Sequence, residues 1–148
     1  MVKLAVIGAA GRMGKILVEA ISQEPEALLS AGIDHPDSTL IGSDIGEIAG
    51  LGKNNILLQS DLESSEDFDV LIDFSSPNST LINAEFCSKY NKPMVIGTTG
   101  FNTSQQETLL QLFSNLPVVM ASNYSVGVNL CFKLAKLAGE VMGNSSDI

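Results

Sequence analysis

The sequence predicts an α/β fold, a doubly wound parallel sheet with helices on both faces. Three observations carry this. Short apolar runs alternate with longer helical segments along the 148 residues, the pattern of a parallel sheet joined by right-handed crossovers. Several runs, among them Val70-Leu71-Ile72 and Met94-Val95-Ile96, are continuously apolar, as strands covered on both faces are. A glycine-rich turn links the first apolar run to the first helical segment.

The elements follow in order. A strand over residues 2–7 leads through the glycine turn into a helix over 12–22 and a second strand over 28–33. Between His35 and Asn55 lies a long stretch with Gly42, Gly46, Gly50 and Gly52. It reads as a loop, and loops that long are uncommon and usually functional or mobile. A short strand over 56–58 precedes Asp61 to Asp69, where Asp61, Glu63, Glu66, Asp67 and Asp69 read as a solvated surface segment. A strand over 70–74 feeds a helix over 77–90. Ser76-Pro77 supplies an N-cap followed by proline at the first helical position, and Lys89, Asn91 and Pro93 close the helix. After a strand over 94–96, Thr103 with Gln106 three residues on forms a capping-box pattern for a helix over 104–114. A strand over 118–121 and a helix over 126–142, ending near Met142-Gly143, complete the chain.

The length is that of one domain, and such a chain typically buries about 68–70% of its unfolded surface. Apolar residues make up 45% and charged residues 17%, too apolar for a disordered chain. Eight basic against seventeen acidic residues give a net charge of −9. That excludes broad nucleic-acid binding, which needs many Lys and Arg on phosphates. An anionic ligand would need a local device, backbone amides with one or two cations. No apolar stretch approaches the length of a membrane span, and Gly8, Gly11, Arg12, Gly14 and Lys15 interrupt the N-terminal apolar run too early for a signal peptide. Cys87 and Cys131 have no metal or redox spacing and are expected to be buried free thiols, fitting a reducing, cytoplasmic compartment.

The glycine loop carries the first functional signal. Gly8-Ala9-Ala10-Gly11-Arg12-Met13-Gly14 closes a strand and opens a helix. Gly8 serves the tight turn, Gly11 the close approach of backbone to a pyrophosphate, and Gly14 the packing of helix on strand. The helix N-terminus offers free N–H groups and partial positive charge to phosphate. The spacing is G-x-x-G-x-x-G, while the strand–loop–helix–strand context is that of a Rossmann-type dinucleotide site. Asp34 ends the second strand about twenty residues after Gly14, where a carboxylate accepts hydrogen bonds from ribose hydroxyls. His35, the only histidine, either faces a 2′-phosphate or is an exposed loop residue. Arg12, at the helix start, either pairs with phosphate or stacks on adenine.

In a doubly wound sheet, ligands bind outside the carboxyl ends of the strands. Here those ends carry Asp73-Phe74-Ser75-Ser76-Pro77, Gly97-Thr98-Thr99-Gly100-Phe101 and Ser122-Asn123-Tyr124-Ser125. Small hydrogen-bonding residues at three strand ends suit a flat ring and carboxamide lying close to the backbone. No catalytic triad or metal-ligand cluster is visible.

At these residues the chain resembles the N-terminal, nucleotide-binding domain of the dihydrodipicolinate reductase (4-hydroxy-tetrahydrodipicolinate reductase) family of bacterial lysine and diaminopimelate synthesis. The landmarks are the Gly8–Gly14 loop, Gly42-Ser43-Asp44 with Glu47 and Ala49-Gly50, Phe68-Asp69 to Asp73-Phe74, Met94 to Phe101, and Asn123 to Asn129. They run nearly end to end, and the Gly-Thr-Thr-Gly-Phe and Asn-Tyr-Ser-Val-Gly-Val-Asn stretches are specific.

The resemblance implies that Gly8, Ala9, Ala10, Gly11, Arg12 and Met13 cradle the pyrophosphate of NADH or NADPH, and that Asp34 holds the adenosine ribose. It implies that Gly97, Thr98 and Thr99, with Ala121, Ser122, Asn123 and Tyr124, surround the nicotinamide, and that Thr99 borders the substrate. Family members transfer hydride from NADH or NADPH to the unsaturated ring of the dipicolinate precursor. Their His-His-x-x-Lys-x-Asp-x-Pro-Ser-Gly-Thr fingerprint for substrate and proton transfer is expected a few residues beyond Ile148, so no catalytic residue is expected within 1–148. The whole chain then reads as one dinucleotide-binding domain ending just before a substrate-binding and tetramerisation domain. The full-length protein would be a cytoplasmic homotetramer with a small-molecule substrate and neither nucleic-acid nor membrane partner, and this chain alone would be inactive. Many family members carry arginine at the position of His35, and Ser76 and Ser79 also depart from the family, so no cofactor contact is carried to them. The alternatives are the cofactor domain of another two-domain dehydrogenase and a non-catalytic nucleotide-sensing module.

Overall fold

A computed structural model describes residues 1–65 and 67–143; the expectations for Glu66 and for the tail 144–148 fall outside the described residues. Six strands form one parallel sheet: β1 (Val2–Ile7), β2 (Ala27–Ile33), β3 (Leu58–Gln59), β4 (Val70–Asp73), β5 (Met94–Ile96) and β6 (Val118–Met120). Their order is β3-β2-β1-β4-β5-β6, and every strand pair is parallel. The order reverses at β1 and β4, so the loops after these strands diverge and leave a crevice at their carboxyl ends.

The helices are α1 (Arg12–Gln23), α2 (Ile45–Ala49), α3 (Pro77–Tyr90), α4 (Thr103–Leu112), followed by a 3₁₀ turn (Phe113–Asn115), and α5 (Val126–Met142). Strand side chains alternate between two buried clusters, as period-2 geometry requires. Val6, Leu29 and Leu58 pack with Val18 and Ile21 of α1 and Ile45 of α2. Ala5, Ile7, Leu71, Met94 and Ile96 pack with Ala84 and Cys87 of α3 and Leu109 of α4. The doubly wound parallel sheet read from the sequence is therefore present.

Several local expectations are corrected. The stretch 35–55 is not a structureless loop: it contains α2. Asp44 caps α2 by accepting from Glu47 N–H at 3.1 Å, and it also accepts from Asn54 and Asn55 N–H at 3.1 and 2.7 Å. One buried carboxylate thus starts the helix and folds the rest of the stretch back onto it. The capping box of α4 lies one residue earlier than expected, on Asn102 and Gln105. Gln105 N–H donates to Asn102 Oδ1 at 2.9 Å, and Asn102 N–H donates to Gln105 Oε1 at 3.0 Å. Thr103 is already helical, whereas an N-cap keeps extended backbone, as Asn102 does. Ser76 occupies the N-cap of α3 without a side-chain cap bond.

The acidic stretch lies at the surface as expected, with Asp61, Glu63, Asp67 and Asp69 exposed, but it is also strapped to the fold. Leu62 and Phe68 are buried, and Lys3 Nζ pairs with Asp67 at 2.6 Å. Lys3 N–H also donates to Asp69 at 2.8 Å. Cys87 is buried as expected, but Cys131 is exposed. The reason is its helix: no residue of α5 is buried, and apolar side chains such as Phe132 and Val141 are 63% and 79% exposed.

Candidate functional site

The glycine loop does what three glycines at this spacing allow. Gly8 has φ +71°, a left-handed conformation that glycine adopts without strain. A Cβ on Gly14 would run into the Gly8 carbonyl oxygen and lie 2.6 Å from Ala9 Cα, so only glycine lets α1 begin this close to the loop. Gly8 and Ala9 N–H both donate to Ile33 O, at 2.7 and 3.1 Å, and Gly11 N–H turns back to Gly8 O at 2.9 Å. These bonds anchor the loop to β2. The N-cap of α1 is Gly11, which has no side chain to cap with. The first-turn N–H groups, those of Arg12 and Met13 among them, therefore keep the free donors and positive end of the helix dipole that attract an anion.

Asp34 stands beside this loop at the end of β2. Its Oδ2 accepts from Ala10 N–H at 2.9 Å and its Oδ1 from His35 N–H at 2.8 Å. The carboxylate thereby ties the glycine loop to the second strand. A carboxylate has about four acceptor positions, so these two bonds leave capacity for hydroxyl donors. His35 is exposed; its Nδ1 accepts from Asp37 N–H at 3.2 Å and lies 3.6 Å from Asp37 Oδ2. Arg12 is exposed at the first position of α1.

A cleft of about 950 Å³ opens where the sheet order reverses, with Gly8, Asp34 and His35 on one wall and Ser75, Ser79 and Ile82 on the other. The β4–α3 loop with Ser75 was expected among the ligand-facing strand ends; the exposed face of α3, with Ser79 and Ile82, was not assigned to the site. The available signal was position: Ser79 opens the helix that follows the strand beside β1.

The residues at the ends of β5 and β6 gather separately, outside the walls of that cleft. Gly97 N–H donates to Asp73 O at 2.9 Å, and Ala121 N–H to Ile96 O at 3.2 Å. Tyr124 Oη donates to Ile96 O at 2.8 Å, and its ring tilts against Phe74 with centroids 5.7 Å apart. Burial pushes the Tyr124 hydroxyl above its ordinary pKa, partly offset by a hydrogen bond from Ala121. Thr98 as a whole is buried, its hydroxyl held among Ser75, Thr80 and Asp73. Thr99 and Ser122 are exposed. Asn123 accepts from Ser125 N–H at 2.8 Å, and Ser125 caps α5 through Val128 N–H at 3.3 Å. The Asn-Tyr-Ser-Val-Gly-Val-Asn stretch is thus a helix start packed against the strand ends. Among the described residues no His/Cys/Asp/Glu group could hold a metal ion, and no helix is long and apolar enough to cross a membrane.

Residues 2–124 match the family model described as dihydrodipicolinate reductase, N-terminus. The chain is 52% identical over 147 residues to a 4-hydroxy-tetrahydrodipicolinate reductase of Saccharophagus degradans, covering 99% of this chain and 55% of that protein. Among solved structures it is similar to a dipicolinate-bound dihydrodipicolinate reductase from Paenisporosarcina sp. TG-14, with 29% identity and a TM-score of 0.74, over 94% of this chain and 54% of that one. An oxidoreductase from Agrobacterium radiobacter, solved with NAD+, L-tartaric acid and magnesium, has a TM-score of 0.69 at 16% identity, over 93% of this chain and 41% of its own. That likeness shows the fold alone. The chain spans about half the length of the reductases it matches.

Proposed function

The chain belongs to the dihydrodipicolinate reductase family, and on that premise we propose that residues 1–148 are its dinucleotide-binding domain, taking NADH or NADPH. The cofactor supplies hydride for reduction of the unsaturated ring of the dipicolinate precursor, in lysine and diaminopimelate synthesis. The residues present fit such a group. Gly8 to Met13 offer an uncapped helix start for the pyrophosphate, and Asp34 retains acceptor capacity for ribose hydroxyls. Gly97 to Thr99 and Ala121 to Tyr124 surround the nicotinamide, with Thr99 bordering the substrate.

The observation that carries this reading is the Ala10–Asp34 hydrogen bond at 2.9 Å. It fixes the acceptor for ribose beside the donors for phosphate, the two halves of a dinucleotide's backbone. The groups that bind substrate and move its proton belong to the portion of the relatives that this chain does not span. The 148 residues alone therefore bind NAD(P)H weakly and turn over nothing measurable. In the full-length protein the setting is cytoplasmic and the assembly a homotetramer, and a net charge of −9 argues against a nucleic-acid partner.

Calorimetric titration of NADH into the chain and into Asp34→Ala tests the reading. Binding that weakens in the variant supports it. Binding unchanged by the variant removes Asp34 from the site, and no binding by the unaltered chain overturns the reading.

A further inference from the structure

We infer that Asp73 is a positioning residue, whose buried carboxylate sets the nicotinamide-side loop 97–99 against the β4–α3 loop, so that this loop and the cleft beside it engage one cofactor. The inference rests on the dinucleotide reading above and concerns a residue that reading leaves unused.

Asp73 ends β4 in register with Ile7 of β1 on one side and Ile96 of β5 on the other. Those neighbours are 4% and 0% exposed, and Asp73 itself is 0% exposed. A carboxylate in a row of isoleucines is a poor choice for stability, because desolvating the charge costs more than burying an apolar side chain gains. Its bonds show what it does instead. Oδ1 accepts from Ser75 N–H at 3.0 Å, Ser75 Oγ at 2.6 Å and Thr98 Oγ1 at 3.3 Å, and Oδ2 accepts from Asn83 Nδ2 at 2.9 Å. Thr98 Oγ1 in turn accepts from Ser75 N–H at 3.0 Å. The β4–α3 loop, α3 and the β5–α4 loop therefore converge on one side chain with no water-exposed atom.

The glycine loop is held independently, by Asp34 and by Ile33 O. The Asp73 network also reaches the opposite wall of the cleft through Ser75 and Asn83, so its loss should fall more heavily on the nicotinamide half than on the phosphate and adenosine half. Asp73→Asn keeps the shape but turns one acceptor into a donor, which then faces Ser75 or Asn83 donor to donor. Thr98→Val removes the hydroxyl link alone and serves if Asp73→Asn does not fold.

The experiment compares NADH with ADP-ribose, which lacks the nicotinamide, by calorimetry on the chain and both variants, with nicotinamide fluorescence as a second signal. The expected result is that the margin by which NADH out-binds ADP-ribose shrinks about tenfold in each variant, while ADP-ribose affinity changes less. Equal weakening of both ligands makes Asp73 a purely structural residue and overturns the inference alone. So does an unaltered chain that binds NADH no tighter than ADP-ribose. An unaltered chain that binds neither ligand overturns the underlying reading, and this inference with it.

Discussion

Gly97 lies against the face of the Phe74 ring so closely that a Cβ on Gly97 would overlap three of the ring's carbons. Phe74 in turn packs on Tyr124 with centroids 5.7 Å apart. The ends of β4, β5 and β6 are thus stacked glycine, phenylalanine, tyrosine, and the missing side chain at Gly97 is what lets the stack close. This explains in packing terms why the strand end reads Ile-Gly-Thr and not Ile-Ala-Thr.

Gly97→Ala should therefore destabilise the chain by about 1–3 kcal/mol, the ordinary cost of an extra methyl in a packed site. Removing the ring should relieve it. In a Phe74→Ala background the same substitution is expected to cost much less, and urea denaturation of the two single variants and the double variant measures the difference. Strict additivity would show that the ring yields freely and the stack imposes no constraint.

At Gly14 the obstacle is backbone and cannot rotate away, since the Gly8 carbonyl and Ala9 Cα fill the space of a Cβ. Alanine gains up to about 1 kcal/mol of helix propensity over glycine. That gain is outweighed, because α1 must lift off the loop. Gly14→Ala is expected to lower stability by on the order of 1–3 kcal/mol and to weaken NADH at least tenfold, read by denaturation and calorimetry on one preparation. A variant of raised stability and normal affinity would show that Gly14 is not the contact that seats the helix.

The sequence made the long elements legible where one physical signal dominated. The bounds of α3 and α5 and of β1 and β5 follow from proline and glycine punctuation and uninterrupted apolar runs. What escaped was held by tertiary contact. The five-residue α2 is too short to show a period; it exists because Asp44 gathers N–H groups from both ends of its loop and Ile45 fills the space a Cβ on Gly32 would need. Cys131 is exposed, against expectation, for the converse reason. The apolar pattern of α5 marks a helix, but no residue in it is covered by the rest of the described chain. In the candidate site, the neighbourhood of the glycine turn and Asp34 was legible because both follow directly on the first two strands. Ser75 was legible as part of a strand end; the α3 face with Ser79 and Ile82 was not, because it depends on which strand lies beside β1.

On the proposed dinucleotide reading, cofactor choice follows from charge at the Asp34 end of the cleft. Asp34, Asp61 and Glu63 all line the cleft there, and Asp37 sits beside His35. A free 2′-hydroxyl donates to such a surface, whereas a 2′-phosphate is repelled by it. NADH is expected to bind at least as tightly as NADPH. Asp34→Ala should weaken NADH about tenfold, the loss of a charge-assisted hydrogen bond, and narrow the gap to NADPH. Parallel titrations at low and moderate salt check this, since salt screens the repulsion and should help NADPH more than NADH. A tenfold preference for NADPH in the unaltered chain would contradict the argument.

The two cysteines give a test of the core that needs no ligand. Cys131 is exposed and Cys87 buried, so a thiol reagent should modify one cysteine at once and the second only on unfolding. Burial, with the nearby Asp73 charge adding to it and Lys92 opposing it, pushes the Cys87 thiol from 9.0 up to about 12. The unfolded thiol ionises above pH 9 and the folded one does not. The stability tied to keeping Cys87 protonated is therefore intact below pH 9 and is lost as pH rises from 9 towards 12, by at most ~1.4 kcal/mol per unit. Cys87→Ala has no such proton to lose. The advantage of the unaltered chain over this variant should shrink steadily across that interval, and denaturation midpoints at pH 8, 9.5 and 10.5 measure it. A difference that stays constant with pH would mean that the Cys87 thiolate is tolerated in the fold, and that the cluster around α3 admits water.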